Sequence, residues 1–173
     1  MVEAADVLEI WRELRAVGVE VWIDGGWCVD ALLGGQTRAH GDLDIAVGRA
    51  DIGRLRRVLA ALGYATEDGE DSTEWNFVMT RESGASVDIH VFEFDEDGDH
   101  LYGIAYPSDS FSGVGVIEGE RVHCITPARM FQFKTAYPPA AKDLRDVRAL
   151  SARFGFDLPA DYRPSDGEEG RTP

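Results

Sequence analysis

The spacing of apolar residues changes along the chain and divides it into segments. Val7, Ile10 or Trp11, Leu14 and Val17 recur at helical intervals with Glu9, Arg12 and Glu13 between them, and Gly18 ends the run. "VEVWID" reads as a short strand broken by Gly25 and Gly26, and "WCVDALLGG" as a short helix that stops at Gly34 and Gly35. "DLDIAV" is the next strand. Ile52, Leu55, Leu59 and Leu62 then make an amphipathic helix whose other face carries Arg54, Arg56 and Arg57. From Tyr64 the period shortens. "WNFVMTRE" and "SVDIHVFEF" flank a Ser-Gly-Ala turn and predict a hairpin. "LYGIAY", "GVGVIEG" and "RVHCI" predict further strands. Thr126 and Pro127 are placed as N-cap and first residue of a helix carrying Phe131, Phe133 and Lys134, which Pro138 and Pro139 break. A last helix runs from about Ala140 to Phe154, with Leu144, Val147 and Leu150 or Ser151 on one side.

This order predicts an α+β fold with a mixed, mostly antiparallel sheet flanked by helices, rather than a doubly wound parallel sheet. At 173 residues the chain is long enough to bury one core. We expect a core domain over residues 1–125, short C-terminal helices packing on it over 126–156, and a tail without fixed structure over 157–173, where "DYRPSDGEEGRTP" is polar and rich in Pro and Gly.

Composition narrows the classes of function. The chain is 44% hydrophobic and 10% aromatic, as folded globular proteins are. No apolar run approaches the roughly 20 residues of a membrane-spanning helix. There is no basic start with an apolar core of the kind that opens a signal peptide, and Cys28 and Cys124 make no disulfide framework; both point to the cytoplasm. The net charge of −15 opposes nucleic-acid phosphates and anionic membranes, so neither is an expected partner, and it favours cationic small molecules.

The candidate chemistry sits on the strands. In "HGDLDIAV", Asp42 and Asp44 are two residues apart and point to one face, while Leu43, Ile45 and Val47 point to the other. Two parallel carboxylates at that separation repel each other, and a divalent cation such as Mg²⁺ reverses the sign of that interaction. In "SVDIHVFEF", Val87, Ile89 and Val91 face one way and Asp88 and His90 the other. If the two strands are sheet neighbours, Asp88 completes a three-carboxylate site able to hold two metal ions for phosphoryl transfer. Gly25 and Gly26, between a strand and a helix, let backbone N–H groups approach a phosphate at the positive end of that helix, or simply permit a tight turn. Neither a Walker nor a dinucleotide motif is present.

A strand, Gly-Gly, a helix, DxD on the next strand and an Asp on a later one form the layout of the DNA polymerase β-like nucleotidyltransferases. Within them, "WIDGGWCVDALLGGQTRAHGDLDIAV" resembles the small antibiotic nucleotidyltransferases of the lincosamide and aminoglycoside 2″ types, which share a GGW segment followed by TR-x-H-x-D-[IL]-D. The likeness continues more loosely through "VDIHVF" and "KDLRDV". It implies transfer of a nucleoside monophosphate, usually AMP from ATP, to a hydroxyl of a small-molecule antibiotic with release of pyrophosphate, with two Mg²⁺ ions as cofactors and ATP or another nucleoside triphosphate as co-substrate. By position, Asp42 and Asp44 would bind both ions, and Asp88 would bind the catalytic ion and act as general base. Gly25 and Gly26 would contact the triphosphate. Arg38 and His40 could reach phosphate oxygens; Arg38 could equally form a salt bridge to Asp30 or Asp42, and His40 could pack within its loop. Lys134 could contact the nucleotide or stand in solvent. Asp143 and Asp146, with Lys142 and Arg145, most simply make local ion pairs. Trp27, Trp75 and Tyr102 are core or stacking residues. Asp95, Glu96, Asp97 and Asp99 favour a cationic acceptor, and the small size suggests that a homodimer completes the acceptor pocket. Rival readings are a toxin-like enzyme modifying tRNA or protein, the tRNA target opposed by the lack of a basic stripe, and an inactive nucleotide-binding module, which the intact Asp42, Asp44 and Asp88 oppose.

Overall fold

The helices and strands separate where the apolar period changes along the chain. Residues 1–67 and 72–163 are described by the structure, a computed structural model. They divide into a unit spanning Met1–Thr126 and a second unit that starts at Pro127.

In the first unit the elements are α1 (Ala4–Ala16), β1 (Val21–Ile23), α2 (Gly25–Leu33), β2 (Asp42–Gly48), α3 (Ile52–Ala61), β3 (Tyr64–Thr66), β4 (Asn76–Arg81), β5 (Ser86–Phe94), β6 (His100–Gly103), β7 (Gly113–Ile117) and β8 (Glu120–Cys124). The sheet runs β3-β4-β5-β2-β1-β8-β7, with β6 pairing to β5 outside this path. Two pairings are parallel, β2 with β5 and β1 with β8; the others are antiparallel. The sheet is therefore mixed and mostly antiparallel, as the order of elements predicts.

The parallel β2–β5 pair is the centre of the core. Leu43, Ile45 and Val47 on one strand and Val87, Ile89 and Val91 on the other are all 1% exposed or less. At roughly 25 cal/mol per Å² of apolar surface, each such side chain contributes on the order of 1.5–3 kcal/mol. Leu55 and Leu59 of α3 and Val7, Ile10 and Leu14 of α1 are equally buried and supply the helical side of the core. One-sided burial fixes the register, because a slip of one residue would turn Leu43 and Ile45 outward and Asp44 inward. Cys28 on α2 and Cys124 on β8 are free and buried. The acidic segment after β5 is a hairpin turn in which Asp95 Oδ1 accepts from the amides of Asp97 and Asp99. No helix among the described residues is long and apolar enough to cross a membrane.

The second unit contains α4 (Pro127–Lys134) and α5 (Ala141–Phe154), with Gly155 in the left-handed conformation as the cap of α5. Its buried stripe is Asp143, Asp146, Val147 and Leu150, at i, i+3, i+4 and i+7. Two of the four positions are acids, and Lys134, itself buried, approaches them at 3.0 Å (Asp146) and 3.5 Å (Asp143). Asp143 also accepts from the Tyr137 hydroxyl and the Ala140 amide. The sequence expects local pairing of Asp143 and Asp146 with Lys142 and Arg145, which are exposed; the structure adds Lys134 as a buried partner of both acids across the helix pair. Of the stretch expected to lack fixed structure, residues 157–163 are described, and Tyr162 within them is buried, with its hydroxyl 2.7 Å from the Lys134 carbonyl and 3.0 Å from that of Tyr137. Residues 164–173 lie outside the described residues.

Lys134→Met removes one partner of a buried charge cluster and takes a counter-charge from Asp143 and Asp146. It should destabilise the helical unit by about 3–5 kcal/mol in urea unfolding. A loss below about 1 kcal/mol would show that the cluster is not held by Lys134.

Candidate active site

The β2–β5 register sets Asp44 directly beside Asp88 and Ala46 beside His90. Asp44, Asp88 and His90 each offer a ligand atom, and these atoms lie within 4.8 Å of one another. Burial raises the Asp44 carboxyl to about 6, helped by the negative charges of Asp24, Asp42 and Asp88. The Oδ1 atom of Asp88 is buried and makes no hydrogen bond within the protein. Two facing carboxylates, one with its pKa raised by burial and neighbouring charge and the other with an unpartnered oxygen, are a donor set that fits a divalent cation. Asp42 lies one step back on the same face, exposed and outside the three-residue group, yet its charge reaches Asp44.

Behind the carboxylates is a buried network. Asp24 caps α2 by accepting from the Gly25 amide at 2.7 Å. It also accepts from the Tyr106 hydroxyl at 2.6 Å, and His90 Nδ1 lies 3.1 Å from that hydroxyl and 3.5 Å from Asp24 Oδ2. On the other side His90 Nε2 is 3.6 Å from Asp88 Oδ1. Burial works against charge on His90, but Asp24 and Asp88 outweigh it and raise its pKa to about 10. For Asp24 burial likewise favours the neutral acid, and the combined effect of His90, Tyr106 and the Gly25 amide holds it ionised below the ordinary carboxylate range.

The glycine pair has a steric explanation. Gly25 has φ +57°, and a Cβ there would stand 2.0 Å from Asp44 Oδ2. A Cβ on Gly26 would stand 2.5 Å from both an Arg38 guanidinium nitrogen and His40 Nδ1. The start of α2 is thus pressed against the Asp44 carboxylate on one side and the Thr37–His40 loop on the other. That loop is tied to α2 by Asp30, which accepts from the Thr37 amide (3.0 Å) and hydroxyl (2.6 Å) and meets His40 Nε2 at 2.5 Å. Arg38 lies 3.0 Å from His40 Nδ1. A guanidinium only donates, so Nδ1 accepts and Nε2 carries the proton directed at Asp30.

The sequence expectations thus meet different fates. Asp44 and Asp88 come together. Gly25 and Gly26 lie at the α2 N-terminus, although the Gly25 amide is engaged by Asp24. Arg38 lies over Gly26. His40 is 2% exposed, with both ring nitrogens engaged inside the protein and its ring 4.7 Å from that of Trp27; this is the packing alternative rather than a phosphate contact. Lys134 is the buried partner of Asp143 and Asp146 rather than a solvated lysine. Trp27 is core, whereas Trp75 is 41% exposed and meets Tyr102 edge-on. Sequence reasoning missed Asp24 and Tyr106. Asp24 carried a signal, an Asp just before a helix start. Tyr106 carried none, because its position depends on the chain returning to the site after β6.

Sheet order, the carboxylate pair and the glycine-led helix together define a nucleotidyltransferase. The sequence profile of the aminoglycoside-2''-adenylyltransferase family matches residues 6–150, and the chain belongs to that family. A lincosamide resistance protein of Staphylococcus haemolyticus is 24% identical over 155 residues, 84% of this chain and 91% of that protein. A 2''-aminoglycoside nucleotidyltransferase of Escherichia coli is 42% identical over 43 residues, 25% of this chain and 24% of that protein. Among solved structures, the lincomycin-bound lincosamide adenylyltransferase LnuA shares the fold with a TM-score of 0.75 at 24% identity, covering 88% of this chain and 98% of that one. ANT(2'')-Ia in complex with adenylyl-2''-tobramycin gives 0.69 at 22% identity, covering 86% and 87%.

In metal-free protein the folded state keeps a proton on His90 up to about 10, whereas the unfolded chain releases it near 6.5. The stability this supplies is complete below about 6.5 and is lost as the pH rises to about 10. Melting temperatures in EDTA should therefore fall more steeply over that window in the wild type than in His90→Gln; parallel curves would contradict the assignment. Gly25→Ala places a methyl group on Asp44 and should cost about 1–3 kcal/mol of stability by chemical denaturation. Unchanged stability would mean that the carboxylate moves away freely.

Proposed function

We propose that this nucleotidyltransferase transfers AMP from ATP, with Mg²⁺, to a hydroxyl of an antibiotic of the lincosamide or aminoglycoside type, the hydroxyl oxygen bonding to the α-phosphorus as the α–β phosphoanhydride breaks and pyrophosphate leaves. The observation that carries the reading is the pairing of Asp44 with Asp88, whose Oδ1 is buried without a hydrogen-bond partner, in a chain of this family. Asp42, Asp44 and Asp88 would hold the divalent ions. When bound, these would neutralise charge on the transferring phosphoryl group and lower the pKa of the acceptor hydroxyl. Asp88 takes the proton of the attacking hydroxyl, since a carboxylate beside the nucleophile shortens the proton's path. Arg38, over Gly26 at the positive end of α2, offers donors to the triphosphate. A location where ATP is abundant and Cys28 and Cys124 stay reduced, the cytoplasm, accords with this chemistry.

Similarity to the lincosamide resistance protein runs through 84% of the chain, and the profile matched over residues 6–150 is that of the aminoglycoside enzymes. We therefore place lincosamide and aminoglycoside acceptors side by side. The net charge of −15 would attract either, because both carry amines.

Incubation with ATP, Mg²⁺ and a panel of both antibiotic classes, followed by mass spectrometry, should show an acceptor carrying one added AMP. Absence of an adduct across the panel would remove the antibiotic from the proposal. Asp88→Asn should lower turnover by about 10²–10⁴-fold while ATP binding stays measurable by calorimetry; near-normal turnover would exclude Asp88 as base.

A further inference from the structure

The arrangement behind the carboxylates assigns His90 a role that the three-aspartate pattern does not contain. We propose that His90 is a protein ligand of the catalytic divalent ion through Nε2, so that the ion is held by two carboxylates and an imidazole, Asp44, Asp88 and His90. This rests on the nucleotidyltransfer reading and deepens it.

The geometry supports the assignment at each atom. The Tyr106 hydroxyl has one proton, and it is directed at Asp24 Oδ2 at 2.6 Å. Towards His90 the same oxygen can therefore only accept, so Nδ1, 3.1 Å away, is the donor. With Nδ1 committed to the interior, Nε2 is the nitrogen turned towards the carboxylates, 3.6 Å from Asp88 Oδ1. That separation is too long for a good hydrogen bond, and Asp88 Oδ1 has no other partner. The two atoms face each other without being satisfied by each other, and the Asp44 carboxylate lies within 4.8 Å of both. A histidine whose outer nitrogen faces carboxylates, and whose inner N–H is held by a hydroxyl and an acid, has the arrangement of metal-bound histidines, in which a partner behind the ring sets tautomer and orientation. Asp42, by contrast, is exposed and outside the group.

The consequence is a metal preference. Mg²⁺ favours an all-oxygen shell, while Mn²⁺ accepts imidazole more readily, so this site should discriminate towards Mn²⁺ more than a carboxylate-only site would. Asp24 and Tyr106 are then positioning residues: they act on the ion only through His90.

The test is pulsed electron paramagnetic resonance of the full-length protein with Mn²⁺, alone and with a non-hydrolysable ATP analogue. The expected result is a nitrogen modulation from a coordinated imidazole. It should change from the ¹⁴N to the ¹⁵N pattern when the protein is grown with ¹⁵N-histidine, and vanish in His90→Gln. The wild-type labelling experiment does not depend on how well the variant folds. By titration, His90→Gln and Tyr106→Phe should each weaken Mn²⁺ binding by about 10-fold, and Mg²⁺ binding by less. Mn²⁺ bound with no imidazole signal, or a signal that persists in a folded His90→Gln, overturns the assignment and leaves the carboxylate site standing. Failure of the wild type to bind Mn²⁺ even with nucleotide removes the metal site itself, and with it both readings.

Discussion

Everything at the candidate site depends on two carboxylates being held side by side against their own repulsion. Asp44 and Asp88 are neighbours because β2 and β5 pair in parallel with this register, and the register is held by the opposite face, where Leu43, Ile45, Val47, Val87, Ile89 and Val91 are excluded from water. Each of these side chains contributes on the order of 1.5–3 kcal/mol through burial, and the six together outweigh the roughly 4 kcal/mol of repulsion between two like charges about 4 Å apart near a protein surface. The apolar face thus supplies the free energy that keeps the polar face in an unfavourable arrangement. A cation is the simplest agent that removes the strain, and the Asp44 carboxyl, raised to about 6 by burial and then by the neighbouring acids, reflects the cost of an unshielded charge there.

The surroundings then adjust to that pair. The backbone of α2 begins against Asp44, which only a residue without a side chain permits, and Gly26 makes the same allowance for Arg38 and His40. Asp30 anchors the loop bearing Arg38, so the arginine's position over the helix start is set by a hydrogen-bonded chain from α2 through His40 rather than by the arginine itself. On the far side Asp24 serves as helix cap, acceptor for Tyr106 and neighbour of His90 at once. One buried acid therefore links the start of α2 to the ring that faces Asp88.

The C-terminal unit follows a different logic. Its helix pair buries acids where an apolar stripe would ordinarily be, and a single lysine from α4 meets them. Reading "KDLRDV" along the chain suggests local ion pairs within the helix, because sequence neighbours are the visible partners. In a helix, adjacent residues point about 100° apart, so Lys142 does not face Asp143, nor Arg145 Asp146, and the buried partner of both acids is Lys134.

Much of this protein was legible in the order of its residues. Alternation in "DLDIAV" and "SVDIHV" determined which side chains share a face, because a strand's period of two allows no other arrangement. Helical spacing placed α1, α3 and α5, and Gly-Gly before an apolar run marked where the chain turns beside the site. What the sequence could not determine was which strands lie next to each other. β2 and β5 are joined through β3 and β4, and only their parallel pairing brings Asp88 to Asp44 while leaving Asp42 at the rim. The same holds for Tyr106, which reaches Asp24 from 82 residues away, and for Lys134, whose partners lie across a helix turn. Local periodicity is dictated by backbone geometry and can be read from neighbours; contacts between distant segments are chosen by the burial of the whole core, and only the folded chain reveals them.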